Sequence, residues 1–551
     1  MEIPSAPPAC ADSFYRQLPC GAQFRRHLSC AAAQALFEAA RYHVPRCSGR
    51  GPCNPTVLIP PSVSYDADLV GSFFSELGYP LRLQNASNAT ARASVPLDGP
   101  HTFVYASDWW PRALSAERCG RSGHALALQA LTIGSKGGLC AAARRAAASW
   151  PAFAAAAVVP RCFRWPEERH LAGMLFENKS TVWMYKDLRE RTYGGLEIAF
   201  FSRRRNTTDK IVMRRGGKAG RHSSYKLQHW RGEDGRRRGL FQQMVHPPYL
   251  VEERSNCFRV FVLLTSSLPL RAWAWRNSYV MVAGLPYKNF VPDDPAVSSA
   301  SVCAAIVNSF HEKRFCIPFR NRGARLFMIK LPKFLAGAAE ALGVSADELW
   351  ARIERAIRFV LLADYSSFAG AQGQQLLGFD LVLDADGNVH VLEANRTPGT
   401  TEDDAGRKRR MHQGWATMTG GFAGAAYPRE WRGCRNGGEP ACKLRARVDA
   451  YAAARRASGG APRALERELL FEWERERALA AAADTGAGAG SGRRWTELYP
   501  GTAAAVRDAA GHLALLNGST EIGAAVRATH ALQLDYLEWI EQNDTVASQT
   551  K

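Results

Sequence analysis

GFDLVLDADGNVHVLEAN, residues 378–395, is the stretch on which the reading of the whole chain turns. Two apolar runs flank Asp384 to Asn388, where Asp386 and Gly387 suit a tight turn, so the spacing predicts a β-hairpin. Side chains alternate along a strand, which puts Glu393 and Asn395 on one face. Antiparallel pairing then brings Asp380, near the start of the first strand, to the end of the second. Two carboxylates and an amide oxygen form an all-oxygen cluster of the kind Mg²⁺ takes, usually together with nucleotide phosphates. The plainer alternative is a hairpin with a polar face.

Upstream of the hairpin lie β-branched and aromatic runs that read as strands: 181–188, 196–202, 239–245, 258–266 and 270–282. Lys186 ends the first of them, and Gly194 and Gly195 stand before the second. A glycine turn between strands can close over phosphates with backbone N–H groups while a lysine supplies a point charge. GLFQQMV (239–245) would end where a flat base meets it edge-on, and Arg259 could face a terminal phosphate. SADELWARIERAIRFVLLADY (345–365) is predicted as a helix capped by Ser345, with Glu348 three residues on. GLCAAARRAAASWPAF (138–153) reads as one alanine-rich helix.

Nearer the N-terminus, strands at 56–60 and 100–108 alternate with an amphipathic helix at 68–79, suggesting an α/β unit. The expected organisation is a Cys/Pro/Ala-rich segment (1–55), α/β subdomains (56–180), a central nucleotide- and metal-binding domain (181–400) and a mainly helical C-terminal extension (401–551). The class is α/β in the broad sense, α+β in the central part.

Composition narrows the partners. A hydrophobic share of 46% and a charged share of 22% belong to a folded chain, and 551 residues suffice for two to four domains. No apolar run is long enough to span a bilayer, and no basic-then-apolar start marks a signal peptide. The net charge of +20 favours acidic partners, and residues 202–239 hold much of the excess. That segment reads either as a solvated surface loop or as a docking patch for an anionic substrate. Nucleic acid is disfavoured, because few aromatics are interleaved to stack bases. None of the 13 cysteines has CxxC spacing, so a structural zinc site is rejected. Seven asparagines, at 85, 88, 178, 206, 395, 517 and 543, begin N-x-[ST] triplets, and with the cysteines they raise a secretory-pathway alternative.

The run LFQQMVHPPYLVEERSNCFRVFVLLTSSLPLRAWAWRNSY (240–279), followed by GFDLVLDADGNVHVLEANRTPG (378–399), resembles the tubulin–tyrosine ligase-like family, a branch of the ATP-grasp superfamily. The similarity covers about residues 125–400, with WTELYPG (495–501) as a weaker match. The resemblance implies an ATP-grasp fold. It also implies an ATP- and Mg²⁺-dependent ligase that joins a free amino acid to an acidic protein acceptor, such as a tubulin tail, through an acyl-phosphate. A cytoplasmic or cytoskeletal location follows from it.

Carried onto this chain, the family's metal ligands fall on Asp380, Glu393 and Asn395. LTIGSKGGL (131–139) makes Lys136 a second phosphate-contacting lysine beside Lys186. Gln242, Gln243 and Val245 stand at the adenine hinge, Gly194 and Gly195 at the phosphate loop, and Arg259 joins Lys186 in stabilising the transferring charge. The chain departs from the family pattern at Gln243 and Met244 in the hinge, at Ser255 and Cys257 in RSNCFR, at Met281, and at Glu197 in the phosphate loop. Those departures leave room for a different carboxylate acceptor or for a nucleotide-binding pseudoenzyme. Cys257 reads as a buried structural thiol, and His246 as a loop residue.

Overall fold

The computed structural model describes residues 131–176, 181–187, 239–267, 270–290, 299–307, 327–369, 375–396, 398, 495–499 and 503–515. It also describes short strands within 56–59, 81–83, 101–104, 122–123, 198–201, 210–213 and 223–226, and scattered positions at 450–457 and 526–542. These residues carry an α+β mixture with largely antiparallel sheets, as expected.

Four strands near the N-terminus, β1 (Thr56–Ile59), β2 (Leu81–Leu83), β3 (His101–Val104) and β4 (Ser122–Gly123), form a parallel sheet in the order β2-β1-β3-β4. The helix expected at 68–79 lies outside the described residues. A second sheet, antiparallel, has the order β5-β10-β6-β7, from β5 (Cys162–Trp165), β6 (Trp183–Asp187), β7 (Ile198–Phe201) and β10 (Gly239–Gln243). Within the basic segment, β8 (Lys210–Met213) pairs antiparallel with β9 (Ser223–Lys226), so that segment contains strand structure.

The third sheet carries the core. Its strands are β11 (Asn256–Ser267), β12 (Leu270–Val282), β13 (Phe327–Lys330), β14 (Gln375–Leu383), β15 (Val389–Asn395) and β16 (Trp495–Tyr499). The order is β13-β12-β11-β14-β15, with β16 also on β12. One side of β12 is shared: β13 pairs with residues 279–282 and β16 with residues 272–275. Thus a piece of the segment expected to be mainly helical completes the central sheet. Trp273, Trp275 and Trp495 are all fully buried there and pack the core.

Helices cover this sheet. The helices α1 (Lys136–Ser149) and α2 (Pro151–Ala156) replace the single helix expected at 138–153. The break falls at Trp150, which is extended because the proline ring that follows disfavours helical backbone before it. Pro151 itself is accommodated at the first turn of α2. Farther on come α3 (Ser299–Ala305), α4 (Leu331–Leu342), α5 (Ala346–Ala363), α6 (Tyr365–Phe368) and α7 (Ala503–Leu515). Ser345 caps α5 as predicted, accepting from Glu348 N at 3.0 Å, with Asp347 and Glu348 in the dipole-favoured first turn. The buried face of α5 holds Leu349, Ile353, Ile357 and Val360. Phe359 meets Trp150 at 4.6 Å between ring centroids, tying α5 to the α1–α2 junction. Among the described residues no helix is long and apolar enough to cross a membrane.

A disulfide between Cys140 and Cys162 fastens α1 to β5. Its partners are 22 residues apart, and nothing in their local spacing announced the pairing.

Candidate active site

The predicted hairpin forms as β14 and β15. Asp384 builds its turn: Oδ1 accepts from Asp386 N and Asn388 N at 3.0 and 2.8 Å, and Gly387 takes a positive φ of 78° that a side chain would resist. Asp380 lies opposite Glu393, and Gly378 opposite Asn395. Between them the register shifts: Leu381 pairs with Val391, so Leu392 is an extra residue on β15. Such a bulge re-aims side chains beside a site. Here both Leu392 and Glu393 come to line one cavity.

The cavity has a volume of about 280 Å³ and opens between the second and third sheets. Lys136, Lys186, Gln242, Gln243, Val245, Arg259, Asp380, Glu393 and Asn395, nine of the eleven residues singled out from the sequence, line it. Gly194 and Gly195 lie outside the described residues, as does Glu197. Met184, Val382, Leu392 and Ile306 form an apolar portion, so the cavity joins an apolar slot to a charged end. Ile306 follows α3, an element with no periodic signal in the sequence. Asn256, also on the wall, holds Tyr249 O at 2.7 Å through Nδ2, while its buried Oδ1 has no hydrogen-bond partner among the described residues.

The charged end is a linked set. Arg259 forms a bidentate pair with Asp380, Nε to Oδ1 and Nη2 to Oδ2, both 2.7 Å. Asn395 Nδ2 donates to Asp380 Oδ2 at 3.1 Å. Lys136, the first residue of α1, brings Nζ within 3.6 Å of Glu393 Oε1. Lys186 donates to Gln242 Oε1 at 2.5 Å, and Gln242 Nε2 reaches back to Leu392 O at 3.5 Å. This link explains how a β10 residue can answer to the position of the hairpin.

Burial pulls the Lys186 ammonium down to about 8, with Glu393 opposing the fall and Lys136 adding to it. Burial also works against the Arg259 charge, but Asp380 and Tyr279 outweigh it and hold the guanidinium above its usual range. The Cys257 thiol is pushed up by burial first and by Asp380 second, which keeps it neutral and unsuited to nucleophilic work. His246 is an exposed loop residue whose Nδ1 meets Tyr287 Oη at 2.7 Å.

As a donor set, Asp380, Glu393 and Asn395 are hard oxygen groups around one cavity, which fits a small hard cation. Among the described residues no group of three or more His, Cys, Asp or Glu side chains could hold a metal. This set has two acids and an amide, each acid now facing a cation of the protein's own. A carboxylate offers about four lone-pair sites, so Arg259 and Asn395 do not exhaust Asp380.

A model of the tubulin-tyrosine ligase family matches residues 142–414, a span that begins just after Lys136 and holds the rest of the set. Three relatives carry the description probable tubulin polyglutamylase TTLL9. That of Bos taurus is 24% identical over 264 residues, covering 44% of this chain and 54% of that protein. That of Mus musculus is 28% identical over 162 residues, covering 29% of this chain and 33% of that protein. The Caenorhabditis elegans protein is 26% identical over 167 residues, 29% of this chain and 37% of its own length. The chain therefore spans about half of the first relative's length and about a third of the other two. Residues 142–414, with their mixed sheet-and-helix framework of ATP-grasp type, thus match the tubulin-tyrosine ligase family.

Proposed function

We propose that the protein is an ATP- and Mg²⁺-dependent carboxylate–amine ligase that adds an amino acid to an acidic protein acceptor through an acyl-phosphate. The observation that carries this reading is the gathering of Lys136, Lys186 and Arg259 with Asp380, Glu393 and Asn395 around one cavity with an apolar slot. A neutral binding pocket has no use for six charged or strongly polar groups. A polyphosphate with its counter-cation needs both signs.

In this reading Met184, Val382, Leu392 and Ile306 cover the base, while Gln243 and Val245 meet its edge. Asp380, Glu393 and Asn395 would hold Mg²⁺, which when bound neutralises phosphate charge. Lys136, Lys186 and Arg259 stabilise the charge on the transferring phosphoryl group. The acceptor's carboxylate oxygen attacks the γ-phosphorus, the bond to the bridging oxygen breaks, and ADP leaves with that electron pair. The amine nitrogen of the incoming amino acid then attacks the acyl carbon, phosphate departs, and the nitrogen loses a proton to give the amide. The relatives' descriptions make a tubulin tail the first acceptor to try, and with it a cytoskeletal setting. The net charge of +20 suits such an acidic chain. A pseudoenzyme is the second reading, favoured by neutral Cys257 on the cavity wall.

Calorimetry of Mg·ATP binding tests the site. Glu393→Gln is expected to weaken it by at least the ~10–100-fold that outer-sphere changes cost at metal centres. Failure of the wild type to bind would sink both readings, and binding without ADP release on any acceptor would leave the second.

The same titration has a pH signature. Lys186 is charged below about 8 and neutral above it, so Mg·ATP affinity should fall as the pH rises through that value. One lost charge-assisted contact corresponds to a drop of ~10-fold between pH 7 and 9. Lys186→Arg, always charged, should flatten the profile; an equally steep fall in that variant assigns the titration to another group.

A further inference from the structure

Lys136 is useful to the site only if α1 begins in the right place, and the chain just before it is a short 3-10 turn, Thr132–Gly134. Ser135 then caps α1 by accepting from Gly138 N at 3.1 Å. A turn of three residues has little rigidity of its own. Its position is fixed from outside, by a carboxylate more than 200 residues away. Asp364, at the junction of α5 and α6, is fully buried. It accepts a hydrogen bond from Ile133 N at 2.9 Å and a short one from the Thr132 hydroxyl. Arg145, itself largely exposed, stands 4.0 Å away. Burying a carboxylate is unfavourable unless its oxygens are satisfied, and the turn supplies the partners.

The other flank of the turn is equally confined. A Cβ on Gly134 would lie 2.2 Å from Arg396 Cγ, so the Arg396 side chain runs directly over the glycine. Arg396 follows Asn395 as the chain leaves β15. The turn is thus held between Asp364 on the helical layer and the chain end beside the proposed metal ligands, and Lys136 Nζ reaches Glu393 from it.

We infer that Asp364 is a positioning residue for the phosphate-binding site: it fixes the Thr132–Gly134 turn, and through it sets Lys136 against Glu393. This rests on the ligase reading for its purpose, though not for its geometry. A purely structural Asp364 would stabilise the core without any particular effect on Lys136.

Two measurements separate these. First, the extent of Lys136 acylation by an amine-reactive reagent is read by peptide mass spectrometry. Asp364→Ala should raise it several-fold, and Thr132→Val, which removes one donor and keeps the carboxylate, should raise it in the same direction. Asp364→Asn, which can still accept from Ile133 N, should stay near wild type. Leu513→Ala, a core truncation in α7, controls for general loosening and should leave Lys136 labelling unchanged. Second, Mg·ATP affinity is measured in a double-mutant cycle. Asp364→Ala is expected to lose ~10-fold in the wild-type background, about one phosphate contact, and almost nothing in Lys136→Met. An equal loss in both backgrounds, or unchanged Lys136 labelling, overturns the inference. Should Asp364→Ala fail to fold, Thr132→Val carries both measurements. Should the wild type not bind Mg·ATP, the ligase reading fails, and the labelling result alone decides the positioning role.

Discussion

Asp380→Ala is expected to lower folding stability by about 3–5 kcal/mol, the loss typical when one partner of a buried ion pair is removed. The Arg259 and Asp380 side chains are only 15% and 14% exposed, and two 2.7 Å hydrogen bonds join them. Truncating Asp380 leaves a guanidinium that cannot shed its proton in a site already holding Lys186. It also removes the nearer of two acceptors of Asn395 Nδ2, leaving the Gly378 carbonyl at 3.5 Å. Glu393 lies across the ladder and can offset part of the loss, so the lower end of the range is the expectation. Arg259→Met combined with Asp380→Leu should recover most of the stability, because apolar groups of similar volume leave no buried charge unpaired. The same double variant should not bind Mg·ATP. Urea unfolding followed by tryptophan fluorescence, to which Trp273, Trp275 and Trp495 of the same sheet contribute, checks the stability half. If single and double variants lose equal stability, the pair is not coupled and the argument fails.

A second large effect concerns pH and lies far from the cavity. His530 is 8% exposed, and its Nδ1 meets Tyr499 Oη at 2.7 Å. Burial pulls the imidazole down from 6.5 to about 4, with a backbone contact to Val506 opposing the shift. In the unfolded chain the ring takes a proton near 6.5, while the folded protein resists protonation until about 4. The unfolded state therefore binds more protons across that window, and stability falls as the pH falls through it. The contribution is fully present above about 6.5 and amounts to about 3 kcal/mol by pH 4. His530→Gln keeps a polar partner for Tyr499 but does not titrate. Carboxylates also lose stability on acidification, so the comparison is of slopes: the wild type should lose about 3 kcal/mol more than the variant between pH 7 and 4. Parallel pH profiles would show that His530 is not the titrating group.

The parts of the fold legible in the sequence were those set by neighbours in the chain. The β14–β15 hairpin was readable because Asp384, Asp386 and Gly387 make the turn from within five residues, and α5 because Ser345 and Glu348 cap it locally. The strands β11 and β12 announced themselves by long β-branched and aromatic runs. What escaped depends on distant partners. Asp364 ends a helix like any other acid until Thr132 and Ile133 are seen to meet it. The Cys140–Cys162 bond and the pairing of β16 with β12 are likewise long-range facts. The split at Trp150 was local and could have been read, since Pro151 stands in plain view; alanine content masked it. At the site, nine residues named from the sequence or the family resemblance surround one cavity. The apolar wall at Ile306 was not readable, because it comes from a loop that only tertiary packing brings in.

The placement of β16 bears on how the molecule is made. During synthesis at ~5–20 residues per second, β12 emerges at least ~10 s before Trp495. For that interval the half of β12 holding Trp273 and Trp275 offers unpaired backbone along its flank. An uncovered strand of this apolar character is a template for wrong pairing with another nascent chain. A recombinant piece cut at residue 414, where the family match ends, would keep that nascent-chain condition permanently. Such a piece should collect in the insoluble fraction, while a chain extended past residue 515 should not.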